Sequence, residues 1–243
     1  MQKKYVDIHK HVRGQVNNIQ DSKVARLLSF SINAIDMKCL DCHKNDLYTV
    51  GIHPWDLSLT TYKEDLEIIK EVLRRDSCLG LGEVGFDRLK NFDQNLQMQA
   101  FFDQIDLAKK IGKNLIVCHV VRAYDLLSYS LKKSDFRGSV IIHGYSGNHK
   151  ITEQLLKNKS IYFGLGESLF KDNSKLIDAL PYLPINRIFF ETDDSDRNIS
   201  DVYQKYFERM SLSSVNEREA VIEDCYERFQ KLVNFTDKKA PNR

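Results

Sequence analysis

The chain has 243 residues, enough to bury a substantial core, and its charge nearly cancels, with 36 Lys and Arg against 34 Asp and Glu leaving +2. That balance excludes bulk electrostatic capture of an anionic partner, and 42% hydrophobic residues with 13 Phe, 11 Tyr and 1 Trp exclude a disordered chain. No run of 18 apolar residues predicts a membrane span, residues 1–12 carry charges and two histidines rather than an apolar export segment, and five cysteines, an odd count, predict reduced thiols in the cytoplasm.

Short β-rich runs alternate with helix-like segments along nearly the whole chain. Strands are predicted over 4–8, 27–32, 47–52, 78–82, 114–118, 139–142, 160–164 and 187–190. Several are continuous apolar runs, as expected of strands covered on both faces. Between them, 61–75 places Leu66, Ile69 and Leu73 at helical spacing, and 95–111 does the same with Phe101, Phe102, Ile105, Leu107 and Ala108. Eight strands separated by helices predict an α/β fold, the (β/α)8 TIM barrel, whose usual size is about 250 residues. An open doubly wound sheet is the alternative at this point. Segment 13–25 is polar and poorly periodic, so the first crossover is expected to be shortened or irregular. Without repeats or linkers, one domain is expected over 1–243, with a closing helix at 217–234 and a polar tail at 236–243.

The polar residues that end these runs carry the chemistry. Strand one ends in Asp7-Ile8-His9-Lys10-His11, and residues two apart on a strand point the same way, so His9 and His11 form a pair of imidazoles on one face. Strand three ends in Gly51-Ile52-His53-Pro54 and strand four in Gly82-Glu83-Val84-Gly85. Strand five ends in Cys118-His119, strand six in His143-Gly144, and strand eight in Glu191-Thr192-Asp193. The carboxyl ends of barrel strands collect the active site, so His9, His11, Glu83, His119, His143 and Asp193 are expected to converge at one mouth. Four imidazoles and two carboxylates exceed the ligands that a single zinc ion takes, and they suit two divalent ions. A metal-dependent hydrolase follows.

Taken as an ordered set, His9-Lys10-His11, Gly51-Ile52-His53-Pro54, Gly82-Glu83-Val84-Gly85-Phe86-Asp87, His119, His143-Gly144-Tyr145-Ser146-Gly147 and Glu191-Thr192-Asp193 resemble the TatD family of metal-dependent deoxyribonucleases, which are TIM barrels. The helix pattern over 97–108 is similar to that family as well. The resemblance implies that His9, His11 and Asp193 bind one ion and that His119 and His143 bind the second, with Glu83 shared. The ions would be Mg, Mn or Zn and would lower the pKa of an attacking water toward ~7. Asp193 is the implied general base and Glu83 its catalytic companion. The implied reaction is exonucleolytic phosphodiester cleavage of single-stranded DNA or DNA ends. His53, Asp87, Arg122 and Tyr145 are candidates for contact with substrate, Tyr145 by stacking on a base or else by packing its loop. Two departures stand out: at strand five His119-Val120-Val121-Arg122-Ala123 displaces the family's arginine by one position, and Asp194-Ser195-Asp196 adds carboxylates after strand eight.

Other motifs are weaker. Cys39-Leu40-Asp41-Cys42-His43 matches a haem-attachment pattern but reads as reduced thiols. Gly164-Leu165-Gly166 reads as close backbone approach rather than a dinucleotide loop. His149 reads as solvated, and Cys118 as facing away from His119. The competing functions are a small-molecule amidohydrolase or esterase on the same metal barrel, and a non-catalytic scaffold with a structural metal. Glu83 and Asp193 count against the scaffold, because a structural zinc requires neither.

Overall fold

A computed structural model describes residues 4–11, 22–32, 43, 46–90 and 93–237. Its strands are β1 (Tyr5–His11), β2 (Val24–Ser31), β3 (Leu47–Gly51), β4 (Cys78–Asp87), β5 (Leu115–Val121), β6 (Ser139–Ile142), β7 (Ile161–Leu165) and β8 (Ile188–Phe190). They form one sheet in the order β1 to β8, the strand order of a (β/α)8 barrel, as expected. The helices are α1 (Tyr62–Leu73), α2 (Gln94–Ile111), α3 (Tyr124–Ser134), α4 (His149–Leu156), α5 (Lys175–Ala179), α6 (Ile199–Arg209) and α7 (Val215–Asp237). The expectations for the first crossover, for Cys39 and Cys42, and for all but the start of the polar tail fall outside the described residues.

The chain divides into two compact units, one of residues 1–27 and 142–232 and the other of 28–141 and 233–243. In the second unit, β4 is buried over its whole length, as a strand covered on both faces should be. It runs five residues beyond its apolar stretch, through Glu83 to Asp87, because Val84, Gly85, Phe86 and Asp87 pair in parallel register with Cys118, His119, Val120 and Val121 of β5. At Gly85, φ is +143° and a Cβ would collide with the His119 carbonyl, so the two strands can close up only around glycine.

Helix α2 locks the ends of these strands. Asp93 caps it by accepting from the Asn95 amide (2.8 Å), and Gly112 ends it with φ +88°. Two buried glutamines on its inner face grip backbone. Gln97 Oε1 accepts from Asp87 N (2.9 Å) while its Nε2 donates to Asp87 O (3.1 Å). Gln104 Oε1 accepts from Ile52 N (2.8 Å), and its Nε2 donates to Ala100 O (3.1 Å) and, at 3.5 Å, to Ile52 O. Each pair satisfies backbone groups at the ends of β4 and β3.

In the first unit, β7 and β8 pair in parallel, and β1 pairs with the chain just past β8: Asp193 N donates to His9 O (2.9 Å) and His11 N donates to Asp193 O (3.2 Å). Asp7 strengthens this contact from inside the core. Its Oδ1 accepts from Thr192 N (2.9 Å) and its Oδ2 from Thr192 Oγ1 (2.7 Å). Burial pushes the Asp7 carboxyl up, against the pull of those hydrogen bonds. Tyr203 of α6, fully buried, accepts from Val6 N (3.2 Å) and so holds the helix against β1.

Candidate metal centre

In the first unit, strand β1 projects His9 and His11 together, as alternation requires, and their rings meet edge to face at 4.9 Å. Asp193 adopts left-handed backbone, φ +52°, which turns its carboxylate back toward both. Its Oδ1 lies 3.5 Å from His9 Nε2 and 3.4 Å from His11 Nε2. His143, just past β6, brings its ring to 4.4 Å from that of His9. One ligand atom each from His9, His143 and Asp193 lies within 4.8 Å of the others. The resemblance assigned His143 to the other ion; here its ring stands beside that of His9.

Glu191, two residues before Asp193, supports the cluster from below. Its Oε1 accepts from Gly144 N (2.6 Å) and lies 3.9 Å from His143 Nδ1. Burial pushes its carboxyl up to about 8, with His9 and the Gly144 amide pulling down and Asp193 pushing up. The Gly164 backbone packs directly against this carboxylate, where a Cβ would collide with Oε2. The close approach expected of Gly164 and Gly166 is thus an approach to Glu191, whose role the sequence reading passed over.

In the second unit, Glu83 Oε2 lies 3.5 Å from His53 Nε2 and 3.5 Å from His119 Nδ1. Ligand atoms of His53, Glu83 and His119 again lie within 4.8 Å of one another. The hydrogen-bond network distinguishes the two imidazoles. Asp87 Oδ2 stands 3.3 Å from His119 Nε2, so that nitrogen carries the hydrogen and Nδ1 presents a lone pair on the Glu83 side. His53 is the reverse: its Nδ1 accepts from Trp55 N (3.1 Å), which leaves the hydrogen of the neutral ring on Nε2. His119 thus turns Nδ1 toward Glu83 and His53 turns Nε2 toward it.

Asp87 is the hub of this arrangement. Its Oδ1 accepts from Leu89 N (2.7 Å) and Lys90 N (3.2 Å), and Trp55 Nε1 donates to its Oδ2 at 2.7 Å. Burial by itself would raise its pKa; the hydrogen bonds from Trp55, Leu89, His119 and Lys90 outweigh that and hold the carboxyl below its ordinary range. Asp87, expected to contact substrate, has its oxygens engaged by four protein groups, His119 among them, and 2% of its surface exposed.

Tyr145 takes the second of its two expected places. Its ring is fully buried against Phe163 and its hydroxyl is hydrogen-bonded to Thr152 Oγ1 (2.7 Å), so it packs its loop and has no face for a base. Arg122 is exposed, with φ +52°, and its carbonyl accepts from Arg88 Nη1 (3.0 Å). His43 is buried and paired with Asp46 (2.9 Å), and His149, partly exposed, stacks on Tyr182 at 3.7 Å. The residue that sequence reasoning missed is Trp55, the only tryptophan in the chain, which follows His53-Pro54 directly and touches both Asp87 and the rings of His53 and His119.

Mixed imidazole and carboxylate donors suit a borderline or hard divalent cation. The His119 network supplies what such a cation needs, a neutral ring with its lone pair outward and its N–H held by a carboxylate.

Comparison with known proteins bears on this donor set. The family model described as TatD related DNase matches residues 3–234. An uncharacterized metal-dependent hydrolase of Bacillus subtilis is 27% identical over 146 residues, covering 59% of this chain and 56% of that protein. The Enterobacter lignolyticus protein named 3'-5' ssDNA/RNA exonuclease TatD is 28% identical over 149 residues, covering 60% of this chain and 56% of its own length. These matches thus span less than two thirds of either relative. The crystal structure of a TatD homologue from Escherichia coli superposes with a TM-score of 0.75 at 19% identity, covering 96% of this chain and 99% of that one.

Proposed function

Because the chain belongs to the TatD related DNase family, we propose that it is a metal-dependent hydrolase of phosphodiester bonds, acting as an exonuclease on single-stranded DNA or DNA ends. The observation that supports the proposal is the clustering of imidazole and carboxylate ligand atoms at strand ends, with the Asp87 carboxylate beside His119 Nε2. The name of the Enterobacter relative supports a nucleic-acid substrate. No observation favours the amidohydrolase or esterase alternative. Three free, buried thiols, Cys78, Cys118 and Cys225, fit a reducing compartment, and the cytoplasm is the proposed location. Among the described residues no helix is long and apolar enough to cross a membrane.

Two divalent ions are proposed, one held by His9, His11, His143 and Asp193 and one by His119 and Glu83. When bound, they supply a nucleophile at neutral pH and stabilise charge on the phosphoryl oxygens. The protein's own groups do the rest. His53, grouped with Glu83 and His119, is the proposed hydrogen-bond donor to substrate at that cluster. Asp193 accepts the proton released as water adds to phosphorus, the ester P–O bond breaks, and the departing oxygen is protonated from solvent. Asp87 keeps the His119 lone pair outward throughout the cycle.

The test is incubation of the purified protein with 5'- or 3'-labelled single-stranded DNA in Mg2+ or Mn2+. Progressive shortening from one end is expected, with Glu83→Ala abolishing turnover and reducing bound metal. Intact DNA alongside hydrolysis of amide or carboxylic ester substrates would overturn the proposal.

A further inference from the structure

Next to the His53, Glu83 and His119 cluster, one large aromatic ring is half-exposed. Trp55 is 47% exposed, although its indole edge is anchored by the Nε1 hydrogen bond to Asp87 and its ring lies 4.9 Å from that of His53 and 5.5 Å from that of His119. Exposing so much of a tryptophan beside buried ionisable groups forgoes apolar burial that the fold could otherwise use. The exposed ring is also held rigid, so a flat partner would lose little freedom in stacking on it. Over that ring, 4.5 Å from its centroid, sits the ammonium of Lys90, itself on the surface. Leu89, 58% exposed, extends the apolar rim. Trp55, Leu89 and Lys90 are all tied to one carboxylate, since the amides of both Leu89 and Lys90 donate to Asp87 Oδ1.

An aromatic face with a cation above it, placed against the proposed phosphate chemistry, matches the two repeating features of a single strand: a flat base and a charged phosphate. We infer that Trp55 is the stacking platform for a nucleobase next to the scissile phosphate and that Lys90 meets the phosphate joined to that base. The inference rests on the phosphodiesterase reading for its location, but the groups that meet the strand, Trp55 and Lys90, are not themselves metal ligands. It explains why His53, His119 and Asp87 all touch one exposed indole. It also gives a near-neutral chain a local means of holding a polyanion. Stacking accepts any base, so the platform provides register along the strand and little sequence preference.

Because Trp55 is the only tryptophan, its fluorescence reports on this position alone. The Glu83→Gln protein, in Mg2+, is titrated with an oligothymidylate of eight nucleotides and with an abasic oligonucleotide of the same length. The oligothymidylate is expected to quench Trp55 and the abasic strand to leave it nearly unchanged. In steady-state hydrolysis, Trp55→Ala is expected to raise KM for the oligothymidylate about tenfold, in the range measured for loss of one stacked base, and to leave KM for the abasic strand unchanged. Trp55→Phe keeps a π-face and loses the N–H to Asp87, so it should restore KM if the ring stacks. If Trp55 acted only by orienting Asp87, Phe would behave like Ala and the loss would appear in kcat.

Equal quenching by both strands, or equal KM shifts for both in Trp55→Ala, would overturn the platform. Failure of the phosphodiesterase reading looks different: the protein with Glu83 intact would hydrolyse neither strand nor bis(4-nitrophenyl) phosphate. Base-dependent quenching in that case would still uphold the platform.

Discussion

Asp87 is one residue whose role came from its partners and not from its place in a motif. It follows Phe86 in the stretch that resembles the family, yet its carboxylate serves His119, Trp55 and two backbone amides. Asp87→Asn puts an amide where four donors converge, so metal affinity or kcat is expected to fall about 10- to 100-fold, read by metal titration and single-turnover rates. The same hydrogen bonds fix the sign of a pH effect. A carboxyl whose folded pKa is depressed stabilises the fold above its unfolded value and loses that contribution as pH falls through the folded one. The stability gap between wild type and Asp87→Asn, measured as urea midpoints of the metal-free proteins, should therefore narrow as pH falls from about 4 to about 2.

At the scale of elements, the instructive pair is α2 with β4. The apolar pattern over 95–111 located the helix, and the observed α2 spans Gln94–Ile111. Gln97 and Gln104 lie on its buried face, where periodicity calls for apolar residues, because they satisfy strand-end backbone at Asp87 and at Ile52, the residue before His53. Gln104→Leu would leave the buried Ile52 amide without its acceptor, at a cost of about 1–3 kcal/mol, measurable as a lower urea midpoint. Strand β4 ran well past its predicted end at residue 82, because Glu83, glycine and Asp87 carry weak strand propensity and only pairing with β5 keeps them extended. Gly85→Ala is expected to destabilise by more than Gln104→Leu, since the added methyl meets the His119 carbonyl and the positive φ disfavours any side chain.

Across the molecule, charge and thiols give the measurable signatures. A net charge of +2 means that the proposed strand binding depends on a few local contacts such as Lys90. With two or three phosphates contacted, log KM for an oligonucleotide should rise against log salt with a slope of only about 1.4 to 2, and Lys90→Gln should reduce it by about 0.7. Burial raises the thiol pKa of Cys78 to about 12 and of Cys225 to about 11, and raises that of Cys118 as well. These thiols stay neutral in the folded protein while the unfolded chain ionises from about pH 8.5 upward. Stability is thus expected to fall as pH rises from there toward 11, and in a Cys39→Ser, Cys42→Ser protein none of the three should react with a thiol reagent at pH 8 until denaturant is added.

Sequence alone determined that strands and helices alternate as in a barrel, that polar residues sit where strands end, and which family those residues resemble. Those features are local: apolar runs, spacing two along a strand and spacing three or four along a helix are written into neighbouring residues. Tertiary structure decided the rest, because tautomers, burial and ring exposure depend on groups brought together from distant parts of the chain. His53 and His119 look alike in sequence, each a histidine at a strand end. Only the Trp55 amide on one and the Asp87 carboxylate on the other set them apart, the basis for proposing the first as a donor and the second as a ligand. In the same way Tyr145 went inside and Trp55 stayed out. Composition treats the two as equal aromatics, and only packing against Phe163 and Thr152, or its absence, separates them.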